Sequence, residues 1–155
     1  RKWPDECYVA LGRKLLEVWP EGCILVTGLD CEKELCAAMT KAIHPERAFS
    51  LAGRLTLRTL IVLMTRCDLL VSSDSGPAHF AALTDIAGVV FFGPETPLLY
   101  RPLSDKLQVI YLNLACSPCY SPMNYRLSPC TDNQCLQGIT PEKVCQVIQG
   151  MLPHS

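Results

Sequence analysis

The chain has 155 residues, 14 Lys+Arg against 15 Asp+Glu, and a formal net charge of −1. That balance excludes a strongly basic nucleic-acid binder and a polybasic membrane anchor. A hydrophobic share of 49% excludes disorder over most of the chain, and no apolar run approaches the ~20 residues needed to span a bilayer.

The chain opens Arg1-Lys2-Trp3-Pro4, with no Met and no signal-peptide pattern, so it reads as an excised piece or a processed product. Residues 4–19 carry Tyr8, Leu11, Leu15, Val18 and Trp19 at helical spacing after a proline suited to a first turn. Gly22–Gly28 is a short apolar run bounded by glycines, a buried strand. Residues 31–43 form the next helix, which ends before His44-Pro45. Ala48–Ala52 is a weaker strand candidate closed by Gly53. Leu57, Leu60, Ile61, Met64 and Cys67 make a second helical stripe. Leu69-Leu70-Val71 is a buried strand running into Ser72-Ser73-Asp74. A helix then opens at Pro77 and extends to about Thr84. Val89–Phe92 is a strong strand stopped by Gly93-Pro94, and Leu107–Leu112 is a further one. Residues 115–138 are polar, rich in Cys and Pro, and aperiodic: a long loop of the sort that is functional or tied down. Thr140-Pro141-Glu142 caps a last helix, about 140–152, with Val144, Val147, Ile148 and Met151 inward.

Strands alternate with helices, and the strands are continuously apolar rather than alternating. This suits a parallel sheet covered on both faces, an α/β Rossmann-like doubly wound domain. At about 100–200 residues per domain the length allows a single one over 1–155. Charged residues make up 19%, below the usual ~25%, so some surface is expected to be covered by a partner domain or a ligand.

In such sheets ligands sit outside the carboxyl ends of the strands. The sharpest strand-end motif is Ser73-Asp74-Ser75-Gly76-Pro77-Ala78-His79. Ser75 suits an N-cap, Pro77 a first turn, and Gly76 a close approach of ligand to backbone. Free N–H groups and the helix dipole would attract an anion such as a diphosphate. His79 would donate to a phosphate oxygen, and Asp74 would accept from sugar hydroxyls. The same string is also a good generic turn and helix start. Thr27-Gly28, with Asp30 and Glu32 beyond, follows the first strand; an acidic group there suits a ribose diol or simply a helix N-terminus. Gly93-Pro94-Glu95-Thr96-Pro97 follows a third strand, where Thr96 would present its hydroxyl or merely belong to a Pro-defined turn. These turns are expected on one edge of one sheet.

Ten cysteines form two sets. Cys7, Cys23, Cys31, Cys36, Cys67 and Cys145 read as buried small hydrophobes. Cys116, Cys119, Cys130 and Cys135, spaced C-x2-C and C-x4-C, leave three readings open: a structural zinc site, local disulfides, or free loop thiols.

Asp74-Ser75-Gly76-Pro77-x-His79, then Ala81-Ala82, Val89–Gly93 and Thr96, resembles glycosyltransferase family 9, the ADP-heptose:lipopolysaccharide heptosyltransferases. Trp3-Pro4-x-Glu6, Thr27-Gly28 with Glu32, Leu51-Ala52-Gly53 before Leu57, Cys116-x-Pro118-Cys119 and Ile139-x-Pro141-Glu142 extend the similarity over nearly the whole chain. The resemblance implies a GT-B enzyme with two Rossmann-like domains, of which this is the C-terminal, donor-binding half. Asp74 would contact the heptose; Ser75, Gly76 and Pro77 with His79 would hold the diphosphate; Arg1 or Lys2 would offer charge to it. Leu55 would line the adenine pocket and Glu32 would reach the ribose, with Thr27, Gly28 and Thr96 nearby. The resemblance further implies an inverting transfer needing no cofactor. Its carboxylate base would lie in the N-terminal domain, so this piece alone would bind donor without transferring sugar. The implied partners are an ADP-heptose-like donor, that N-terminal domain and a glycolipid acceptor, with no nucleic acid. The implied location is cytoplasmic, peripheral on the inner face of the membrane for the full enzyme. The alternatives are a GT-B domain using a UDP- or GDP-sugar, or a non-catalytic α/β module with a four-Cys metal site.

Overall fold

The computed structural model describes residues 2–125 and 127–152. Helix α1 (Asp5–Val18) is followed by strand β1 (Ile24–Val26), a 3-10 turn (Asp30–Glu32), α2 (Lys33–Ile43), β2 (Ala48–Ser50) and α3 (Leu57–Met64). Then come β3 (Leu69–Ser73), α4 (Gly76–Ala81), β4 (Ala87–Phe92), α5 (Pro97–Tyr100) and β5 (Leu107–Tyr111). A 3-10 turn (Pro122–Asn124), α6 (Gln134–Gln137) and α7 (Pro141–Met151) complete the chain. The fold is a Rossmann-like α/β arrangement: among the described residues every strand pairing is parallel, as helical crossovers require.

The chain packs as two compact units. One comprises Asp5–Leu60 and the chain from Pro141 on. It holds the parallel pair β1–β2, with Ile24 opposite Ala48 and Val26 opposite Ser50. Leu16, Ile43 and Ala48 are its buried centre, with Val9, Ile24 and Val26 packed against them. Gly12 lets α1 approach α2, since a Cβ there would lie 3.0 Å from Ile43 Cδ1. In α7 the inward residues are Val144, Cys145 and Ile148, the stripe expected of an amphipathic helix. Val147 is only partly buried.

The other unit comprises the residues up to Pro4 together with Ile61–Thr140. Its sheet has the order β3–β4–β5, with Ser73 opposite Phe91 and Phe92 opposite Tyr111. Central β4 is buried from Gly88 to Phe92, which explains its unbroken apolar run. Trp3 is fully buried in this unit; its ring lies 4.5 Å from that of Phe91 at 47°, and its Nε1 donates to the Ile139 carbonyl at 2.8 Å. Leu136 and Ile139, also fully buried, fill the same core.

Two local expectations change. The helix opening at Gly76-Pro77 is regular only to Ala81; Ala82, Leu83 and Thr84 donate instead to the carbonyls three residues back, the tightened geometry common at helix ends. The strand-end turns also divide between two sheets rather than sharing one, because β1 and β2 pair with each other and β3 begins the second sheet.

Candidate functional site

At the carboxyl end of β3 the chain stays in register one residue past the strand: Asp74 N–H donates to the Phe91 carbonyl at 2.9 Å. This fixes the Asp74 backbone at the sheet tip. Its side chain is only 11% exposed, and its Oδ1 lies 3.9 Å from His79 Nε2, on the first turn of α4. One helical turn separates the two residues, so the strand-to-helix corner itself brings carboxylate and imidazole together. The His79 ring is half-exposed.

Ser75 occupies the N-cap position of α4 with extended backbone, but its hydroxyl does not cap. It donates instead to the Ser73 carbonyl at 3.1 Å and lies 3.1 Å from Ser72 Oγ. The helix therefore begins without the side-chain acceptor that normally occupies an N2 or N3 amide. Gly76 is exposed and Pro77 follows within the first turn.

The N-terminal arm arrives at this tip. Trp3 N–H donates to Ser73 Oγ at 3.2 Å, so Lys2, whose carbonyl forms that same peptide, is placed beside Ser73. Burial of the Trp3 ring and the Ile139 bond hold the arm there. Lys2 is exposed. Arg1, the other cation expected here, lies outside the described residues.

The next strand end, after β4, is Gly93-Pro94-Glu95-Thr96. Thr96 N-caps α5, its hydroxyl accepting from Leu98 N–H at 3.3 Å. The proline-led helix α5 gives this turn more order than a simple bend. Glu95 is 95% buried, and no simple sequence rule marks a buried carboxylate at this place.

Thr27, Gly28, Glu32 and Leu55 belong to the other unit. Thr27 is exposed and Leu55 half-buried. Glu32 Oε2 accepts from Leu29 N–H at 2.8 Å, and a Cβ on Gly28 would lie 3.1 Å from that oxygen. Gly53, at φ +66°, donates to the Gly28 carbonyl at 2.9 Å, closing the β1 and β2 ends against each other. Glu32 thus serves as a local cap in the structure, which is the ordinary role of an acidic residue at a helix start.

None of the ten cysteines, all among the described residues, is in a disulfide. Ser128 Oγ donates to Cys119 Sγ at 3.2 Å, Asn133 N–H to Cys130 Sγ at 3.3 Å, and Cys135 Sγ–H to Asn133 Oδ1 at 3.8 Å. Burial pushes the Cys135 thiol above its ordinary value, and neighbouring Cys119, Cys130 and Cys116 push it the same way. Among the described residues no three His, Cys, Asp or Glu side chains are grouped to hold a metal ion.

Fold and site define a Rossmann-like protein whose polar side chains collect at the carboxyl ends of parallel strands. Residues 1–126 match the family model for glycosyltransferase family 9 (heptosyltransferase). The chain belongs to glycosyltransferase family 9. It is 29% identical over 136 residues to lipooligosaccharide heptosyltransferase 2 of Campylobacter jejuni serotype O:2, covering 85% of this chain and 41% of that protein. It is 28% identical to lipopolysaccharide heptosyltransferase 2 of Salmonella typhimurium, covering 98% and 43%. A solved structure of ADP-heptose lps heptosyltransferase II from E. coli superposes with a TM-score of 0.78 at 25% identity, over 97% of this chain and 41% of that one. The chain therefore spans about two-fifths of the length of the relatives it matches. No helix among the described residues is long and apolar enough to cross a membrane.

Proposed function

We propose that this chain is the donor-binding half of a heptosyltransferase-like enzyme, taking an ADP-heptose-like nucleotide sugar. The observation that carries the reading is the β3–α4 corner, where Asp74 and His79 meet beside the anchored Lys2 arm in a chain of this family. The name of the E. coli relative points to the ADP-linked heptose.

On this reading the diphosphate lies against the Ser75-Gly76-Pro77 backbone at the start of α4. Asp74 lies beside the His79 ring, and a ring N–H of His79 donates to a phosphate oxygen in a charge-assisted bond. Lys2 adds a positive charge near the diphosphate. Together they stabilise the charge that builds on the leaving nucleoside diphosphate as the glycosidic bond breaks. The remaining face of the Asp74 carboxylate accepts from a sugar hydroxyl. Glu32, Leu55, Thr27 and Gly28 are the proposed contacts for ribose and adenine, and Thr96 for the nucleotide. Deprotonation of the acceptor hydroxyl falls to the part of the enzyme outside this chain, as does most of the contact with a glycolipid acceptor.

A thermal-shift titration with ADP, UDP and GDP tests this. A ligand that binds only the folded form stabilises it by about 2.7 kcal/mol at a hundredfold excess over its Kd. The reading predicts a shift with ADP and little with the other two. A preference for UDP or GDP would keep a nucleotide-sugar domain and change its donor. No shift with any of them would count against a donor-binding role for this chain.

A further inference from the structure

The Cys-rich segment holds the candidate site from two sides. On one side it grips the turn after β4. Ser117 Oγ donates to the Gly93 carbonyl, and Cys119 and Tyr120 N–H both donate to the Pro94 carbonyl, at 2.9 and 3.0 Å. Gly93 itself is pressed against the segment's short helix α6. A Cβ there would lie 2.7 Å from Leu136 Cγ and 2.8 Å from Cys135 Sγ. On the other side it grips the N-terminal arm. Ile139 accepts from Trp3 Nε1, and Asn133 Nδ2 donates to the Lys2 carbonyl at 3.2 Å.

Asn133 is built for this task. It takes a left-handed conformation, φ +50°, which Asn tolerates better than most residues. Its carbonyl accepts from Leu136 and Gln137 N–H, starting α6. Its N–H donates to Cys130 Sγ and its Oδ1 accepts from Cys135 Sγ–H. With backbone and amide oxygen both engaged, the amide nitrogen is aimed at Lys2 by a rigid local frame.

From this geometry we infer that Asn133 is a positioning residue: it fixes the Lys2 backbone so that the Lys2 ammonium is delivered to the donor diphosphate. The inference rests on the donor reading above, which puts a diphosphate at this corner. A mobile arm would have to be ordered on binding, at a cost in affinity. The tether removes that cost before the ligand arrives. It also gives the thiols of the Cys-rich segment a part as hydrogen-bonding partners that shape the Asn133 turn.

The test uses the chain carrying N133G or N133D. N133G keeps the left-handed backbone and removes the amide. N133D keeps the size and cannot donate to the Lys2 carbonyl. Loss of one hydrogen bond predicts ADP binding about fivefold weaker in both, with adenosine binding unchanged, since adenosine carries no phosphate. Combined with K2M, N133G should add little further loss, because both changes act on one charge. Amide exchange at Trp3 should accelerate in both variants. Unchanged Trp3 exchange, or equal weakening of ADP and adenosine, would overturn the inference. Faster exchange in variants of a chain that binds no ADP would instead sink the donor reading while leaving the tether standing.

Discussion

The two strand-end regions make different use of the same residue types. At the ends of β1 and β2, the polar side chains are engaged in local structure. Glu32 accepts from Leu29 N–H, Asp30 pairs with Lys33, and Gly53 closes onto Gly28. At the end of β3, the Ser75 hydroxyl turns back toward Ser73, leaving the helix start without a side-chain cap, and Asp74 is set against His79. The first region is stabilised by its polar groups. The second holds a carboxylate, an imidazole and an anchored cation-bearing arm around one corner. A carboxyl strand end therefore does not by itself decide how its polar side chains are used. What distinguishes the second corner is how its side chains are oriented by their neighbours.

That difference can be broken from the core outward. W3A should have the largest effect: it removes a fully buried ring, its contact with Phe91 and the Ile139 bond, and large-to-small changes of this kind cost about 3–5 kcal/mol. Urea unfolding followed through this unit should show the loss, and ADP binding should fall with it. G93A should come next, costing about 1–3 kcal/mol because the added methyl meets Leu136 and Cys135. H79A should leave urea stability nearly unchanged and weaken ADP about tenfold, read by calorimetric titration, as expected for one charge-assisted hydrogen bond.

A pH effect should be smaller. The Cys135 thiol is pushed up by burial and then by the nearby thiols. The folded state therefore favours its protonated form. That contribution is fully present below the unfolded thiol pKa of about 8.5 and is lost as pH rises through the higher folded value. Urea midpoints should fall as pH rises above about 8.5, and at pH 8 buried Cys135 should be alkylated after exposed Cys130. Smallest of all, E32A should change ADP affinity by about twofold, since that carboxylate already serves Leu29. A loss greater than that of H79A would invert the comparison between the two regions.

Much of this was legible in the residues. The β3 and β4 runs are apolar because both faces are covered, and the Asp74–His79 string stands where a parallel strand must turn. β1 and β2, three residues each, were also visible as short runs ended by glycine. The division into two sheets was not, because hydrophobic periodicity marks strands and says nothing of which strands pair. The helices α5 and α6 have four residues each, too short to show a period. They depend on the Thr96 cap and the left-handed Asn133. The Ser75 hydroxyl misleads in the same way: its position is that of a cap, while its bond is decided by the neighbouring Ser73 carbonyl. The roles of Trp3 and Asn133 rest on contacts across more than 130 residues of sequence, beyond any local pattern.

The most direct test of the central claim is a 1H–15N NMR titration of the chain with ADP. The account predicts the largest amide shifts at Trp3, at Ser73–His79 and at Gly93–Thr96, the segments that surround the β3–α4 corner. Shifts confined to residues 27–34, or none at saturating ADP, would contradict it.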